Sequence, residues 1–189
     1  MMSTIYRCGV FAGGLFWSGL ALASTVSVTP AALAVNQGAM FSLTIGGTGF
    51  TVPPDAGGIN IAWDPSILTF KSFALDPLWI VPPSTTGVLG PGTLTRVDFF
   101  DNVAPTGPFT IGTISFMALA AGNSPITVTE DSLNPFAGGG GRITGIVFTP
   151  GTVQVIGPTQ GTPEPQSVAL VAGALALIAL NMRRRRHSV

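Results

Sequence analysis

The chain predicts an all-β fold, an antiparallel sandwich or barrel carried between two apolar terminal segments. Three observations lead there. Between Ser24 and Gly157 helical periodicity is almost absent, apolar residues alternate with polar ones over short runs, and Gly or Pro punctuates the chain about every ten positions. Short strands with frequent turn residues bury one face each, and such strands stack as two sheets or close on themselves.

The elements follow in order. Arg7, the apolar stretch Gly9 to Leu20 and the small-x-small site Ala21-Leu22-Ala23 form a signal helix over residues 1–23, cut before Ser24. The alternative, a buried helix of the mature fold, is disfavoured because Gly13, Gly14 and Gly19 weaken a helix in water. Phe41, Leu43 and Ile45 alternate with Ser42 and Thr44. Ile59, Ile61 and Trp63 do the same around Asn60 and Ala62, which puts Trp63 in the core, and Asp64-Pro65 then turns the chain. Further strands are expected at Leu68 to Phe73, Leu78 to Val81, Leu94 to Phe100, Ile126 to Thr129, Ile143 to Phe148 and Val153 to Ile156. Along Phe109 to Leu119 the apolar parity changes between Phe109/Ile111 and Ile114/Phe116/Ala118, which predicts a bulge at Gly112-Thr113. Residues 158–162 read as a linker and 163–189 as a separate tail.

Charge and cysteine content narrow the function classes. From Ser24 to Thr162, three basic residues (Lys71, Arg96, Arg142) stand against seven acidic ones (Asp55, Asp64, Asp76, Asp98, Asp101, Glu130, Asp131), a net charge of −4. Without a basic patch there is no footprint for a phosphate backbone, so nucleic acid is not an expected partner. The one cysteine, Cys8, leaves with the signal, so the core must hold without disulfides. A domain of about 135 residues can do so, because domains near that size bury roughly two-thirds of their chain surface.

The tail reads Pro163-Glu164-Pro165, an apolar run from Val168 to Leu180, then Arg183, Arg184, Arg185 and Arg186. Thirteen helical residues rise only ~20 Å against a hydrocarbon core of ~30 Å, so the transmembrane helix is marginal and relies on flanking residues and snorkelling arginines. The arginines belong on the cytoplasmic side. A plain tail anchor is the alternative. This arrangement resembles the PEP-CTERM sorting signal of exopolysaccharide-producing Gram-negative bacteria. The resemblance implies handling by an exosortase, a membrane cysteine transpeptidase that cuts near the motif. Pro163, Glu164 and Pro165 would be its recognition residues, and Arg183 to Arg186 the stop signal. Thr162 stands where that family often has Val, and His187-Ser188-Val189 trail the arginines.

The middle resembles a cohesin domain, a relative of cellulose-binding sandwiches. The matching segments are Val26-Ser27-Val28-Thr29-Pro30, Asn36-Gln37-Gly38 before the strand Phe41 to Ile45, Gly58 to Leu68 with its aromatic-Asp-Pro-x-x-Leu signature, and Gly112 to Gly122. The resemblance implies a nine-stranded antiparallel jelly-roll sandwich. Cohesins bind dockerin modules on a sheet face that includes positions just before the aromatic-Asp-Pro strand. Here those positions are Ala56, Gly57 and Gly58, which offer a dockerin no carboxylate or amide.

Asp98 and Asp101, with Asn102, form the compact acidic group and are the candidate Ca²⁺ ligands; the alternative is that they cap a turn. Glu130 and Asp131 are expected in a solvated turn. Trp79 and Phe100 are the candidate sugar-stacking residues; the exposure of Trp79 is open, and only one of Phe99 and Phe100 can face the core of a regular strand. The only histidine, His187, lies beyond the arginines, so the domain holds no Ser-His or Cys-His pair, and an enzyme would need two carboxylates facing across a cleft. The run Gly138 to Gly141 lacks the Lys-Ser/Thr of a phosphate loop and is expected to be a flexible loop. No cofactor is implied beyond Ca²⁺. The expected function is therefore an exported, non-enzymatic binding or adhesion module at the cell surface, contacting carbohydrate or protein. The alternative is a cohesin receptor for a dockerin-like protein.

Overall fold

Alternation of small polar and branched apolar residues from Thr25 onward produces strands with one oily side, and two sheets of them close on each other. The computed structural model describes residues 23–80, 86–101, 104–158, 170–171 and 173–175. Among these lie thirteen strands: β1 (Thr25–Thr29), β2 (Ala32–Asn36), β3 (Met40–Thr48), β4 (Ala56–Ala62), β5 (Leu68–Leu75), β6 (Thr86–Gly90), β7 (Thr93–Phe100), β8 (Phe109–Ala118), β9 (Gly122–Glu130), β10 (Ala137–Gly138), β11 (Gly141–Arg142), β12 (Val147–Thr149) and β13 (Gly151–Ile156). One sheet runs β12-β1-β3-β8-β5; the other runs β11-β10-β4-β9-β13-β2, with β7 on the free side of β4 and β6 outside β7.

Two features depart from a nine-stranded antiparallel plan. The described residues hold thirteen strands, because short segments such as the β10–β11 hairpin are strands in their own right. Two pairs are also parallel, β1 with β12 and β2 with β13. The cause is a change of sheet between Thr29 and Ala32, which lays the first two strands along the last two on opposite sides of the sandwich.

Local differences have local reasons. Leu78 to Ile80 is a turn, not a strand: Asp76 accepts the Leu78 amide on its carboxylate at 3.0 Å and the Trp79 amide on its carbonyl at 2.9 Å, leaving Ile80 as an isolated bridge to Phe100. Ile143 to Phe148 is interrupted at Gly145, whose φ is +76°, and pairing resumes only at Val147. Gly138 to Gly141 is not a loose loop: Gly139 and Gly140, at φ +59° and +81°, form the two-residue turn between β10 and β11, a conformation glycine adopts without strain.

The core lies between the sheets. Val26, Val28, Leu43, Ile45, Ile114 and Phe116 face Ile59, Ile61, Val97, Ile126, Val153 and Val155. Its two ends are aromatic. At one, Trp63 is buried and meets Phe116 edge-on at 5.1 Å and Phe70 at 5.8 Å. At the other, Trp79 packs against Phe99 at 4.7 Å and Phe109 at 5.6 Å, with Phe136 behind Phe99.

The expected bulge in β8 is present, one residue earlier than Gly112-Thr113. Ile45 pairs with Gly112 and Gly46 with Thr110, so Ile111 is the extra residue, and Phe109, Ile111, Ile114 and Phe116 are all buried.

Candidate binding face

Glycines on β4 shape the outer face of the larger sheet. Gly57 faces inward, where a Cβ would stand 3.0 Å from Phe99 and 3.2 Å from Phe136. By alternation Gly58 faces outward, opposite Asp98 on β7. A Cβ on Gly58 would stand 2.5 Å from Asp98 Oδ1, so the carboxylate occupies the space that a side chain at 58 would take.

On β7 a bulge opens beside this point. Ile59 pairs with Val97 and Ile61 with Leu94, which leaves two residues of β7 opposite Asn60. Arg96 sits there at φ +57°, rare for a residue with a side chain, and its amide donates to Asn60 Oδ1 at 2.9 Å. The exposed Arg96 therefore stands at the rim of a groove of about 500 Å³. Asp98 lies on its floor, Phe100 beside it, and Leu133, Asn134 and Pro135 form the far wall.

That wall is the segment after β9. Glu130 anchors it twice, accepting the Phe136 amide at 2.9 Å on Oε1 and pairing with Arg142 at 2.7 Å on Oε2. Asp131 Oδ1 accepts the Leu133 amide at 3.0 Å, the turn typical of an aspartate. Glu130 and Asp131 thus do not form a solvated turn: Asp131 is 4% exposed, and Glu130 is spent on tethering. Leu133, at 69% exposure, is the most solvent-exposed apolar side chain along the groove.

Among the sequence candidates, Trp79 is 5% exposed and donates its indole N–H to the Thr110 carbonyl at 2.6 Å. It presents no ring face for a sugar to stack on. Phe99 is the inward member of its pair, and Phe100 lies half-buried in the groove. Asp98 and Asp101 do not share a pocket: Asp98 lies under the groove, while Asp101, past the end of β7, donates its amide to the Asp55 carbonyl at 2.7 Å. Among the described residues no three of His, Cys, Asp and Glu come close enough to hold a metal by themselves. Asn102, Pro163, Glu164, Pro165, Arg183, Arg184, Arg185 and Arg186 lie outside the described residues, as does the signal segment up to residue 22. Residues 170–171 and 173–175 are helical, and no helix among the described residues is long and apolar enough to cross a membrane.

Arg96, Asp131, Leu133 and Asn134 were not legible as site residues. Asp-Ser-Leu-Asn-Pro reads as a turn, and nothing in the sequence says that the turn folds back over β4.

No protein-family model matches the chain, and no curated protein sequence matches it at a significant level. Solved structures do. A type I cohesin from Pseudobacteroides cellulosolvens superposes with a TM-score of 0.57 at 14% identity, over 74% of this chain and 96% of that one. A cohesin module of a family 33 glycoside hydrolase from Clostridium perfringens gives 0.56 at 11%, over 72% and 97%. A type I cohesin–dockerin complex from Clostridium thermocellum gives 0.54 at 13%, over 71% and 99%. At these identities the likeness establishes the fold: the sandwich is cohesin-like.

Proposed function

We propose that the sandwich is a non-enzymatic module that binds a protein partner in the manner of a cohesin, across the groove on the outer face of β4 and β7. The observation that carries this reading is the groove itself, on a cohesin-like fold and at the positions just before Trp63-Asp64-Pro65. The sequence offers no polar side chain at Ala56, Gly57 or Gly58, but Arg96 from β7 and Asn134 from the segment after β9 supply polar groups there, beside the exposed Leu133. An apolar anchor ringed by polar groups suits a protein surface. Catalysis is not part of this reading, since the Asp98 side-chain oxygens are closed to solvent and no substrate reaches them.

The test is a pull-down and titration with dockerin-bearing proteins from the host's secretome. Leu133→Asp should weaken capture about tenfold or more, as loss of a central apolar anchor does, with the melting temperature unchanged. Unchanged affinity in that variant defeats the assignment of the face.

Carbohydrate contact is the second reading, supported by the half-buried Phe100 in the same groove. Titration with soluble polysaccharides, in which Phe100→Ala weakens binding and Leu133→Asp does not, would favour it over a protein partner.

Delivery is proposed from the tail. We infer export, transient anchoring in the inner membrane and exosortase handling at Pro163-Glu164-Pro165, which place the module at the surface or in the extracellular matrix of a Gram-negative cell. Intact-mass measurement of the native surface fraction decides: a chain ending near Pro163 to Pro165 supports this route, and a retained Arg183 to Arg186 tail makes it a plain anchor.

A further inference from the structure

Beneath the groove wall lies a row of residues that partner binding does not use. Gly58 pairs with Asp98 on one side, and on the other its carbonyl accepts the Asp131 amide at 2.9 Å. Ile59 pairs with Glu130, so Asp98, Gly58 and Asp131 stand in one row across three neighbouring chain segments, with their side chains leaving the sheet on the same face. That face should be wet, yet Asp98 is 5% and Asp131 4% exposed. Asn134 explains the burial: its Cβ and its carbonyl oxygen each lie 3.1 Å from the place a Gly58 Cβ would occupy.

The chemistry left inside is unbalanced. Both side-chain oxygens of Asp98 and Oδ2 of Asp131 are buried without a hydrogen-bond partner. Arg142 is engaged by Glu130, and Arg96 makes no ion pair with Asp98. Asp98 has neither donor nor counter-charge and Asp131 has the Leu133 amide alone, and carboxylates buried in this way are strongly disfavoured unless a ligand supplies the missing charge. These oxygens are closed to solvent, so a lysine or arginine from a partner cannot reach them from outside. A bare ion is small enough.

We propose that this row binds Ca²⁺, with the carboxylates of Asp98 and Asp131 and the carbonyl oxygen of Asn134 as its protein ligands. Asp98 Oδ1 and the Asn134 carbonyl oxygen stand 2.5 Å and 3.1 Å from the same point above Gly58. All three ligands are hard oxygens, Ca²⁺ tolerates flexible coordination where Mg²⁺ demands a near-ideal octahedron, and soft metals find no thiolate or imidazole here. Two carboxylates plus one carbonyl match the weak end of the Ca²⁺ range, with Kd of about 10⁻⁴–10⁻³ M, a level met outside cells. The ligand set differs from Asp98, Asp101 and Asn102: it joins β7 to the segment over β4 and ties down the groove wall.

The experiment uses the purified full-length chain without any partner, so its outcome is independent of the protein-binding reading. Calorimetric titration with CaCl₂ and thermal unfolding in EGTA, CaCl₂ or MgCl₂ are the measurements. About 5 mM CaCl₂ should raise the melting temperature by about 4 °C, and MgCl₂ by less. Asp98→Asn and Asp131→Asn should each abolish that shift, yet unfold in EGTA at the wild-type temperature or above, because a buried unpaired charge has gone. Asp101→Asn should keep the shift. The proposal is overturned by a wild-type chain that shows neither binding heat nor a Ca²⁺ shift, or by an Asp98→Asn variant that retains the shift. Should either variant fail to fold, the wild-type titration alone decides.

Discussion

At the scale of single residues, small polar groups secure the places where strands end. Just past β4 and Trp63, Asp64 turns the chain by accepting the Ser66 hydroxyl at 2.6 Å and the Ser66 amide at 2.8 Å. Those two bonds, the hydroxyl first, hold the Asp64 carboxyl below the ordinary aspartate value, against a smaller opposing effect of burial. A depressed folded-state pKa contributes stability that is present above the unfolded value and lost as pH falls through the folded one. An NMR titration should therefore find the Asp64 midpoint below that of a model aspartate, and Ser66→Ala should move it upward. Trp79 makes a second such case. Its indole N–H satisfies the Thr110 carbonyl inside the core, so Trp79→Phe should cost about 2 kcal/mol in chemical denaturation, from a lost buried hydrogen bond and a small void. The sequence shows an aromatic between two prolines, and only the neighbouring rings decide that it points inward.

At the scale of elements, β8 was the most legible and the segment after β9 the least. The parity change between Ile111 and Ile114 announces an inserted residue, because a strand with one buried face cannot otherwise keep both halves of its apolar set inside. Gly112 has a further reason to be glycine. A Cβ there would meet Phe73 at 2.5 Å and the Ala74 carbonyl at 2.6 Å, and the backbone of the paired β5 cannot move aside cheaply. Gly112→Ala should lower stability by about 2 kcal/mol, read as a shifted denaturation midpoint at unchanged slope. By contrast Asp131 to Pro135 has turn-forming composition and no periodicity. Its place over Gly58 depends on the absence of a side chain 73 positions before Asp131, a coincidence that no local pattern encodes.

At the scale of the whole molecule, two sheets hold together by apolar burial between them, without covalent staples. The single cysteine of the chain is Cys8, outside the sandwich, so a reducing agent should leave the melting temperature unchanged; a drop would reveal a cross-link between chains. The all-β class, the alternating faces and the aromatic-Asp-Pro turn could be read from the sequence, because period-two alternation and turn chemistry are local properties of the chain. The tertiary structure alone decided that the first two strands divide between the sheets, that Trp79 is buried, and that Asp98, Gly58 and Asp131 share a row. Each of those facts joins residues far apart in sequence, and strand pairing at long range depends on how all the faces pack at once.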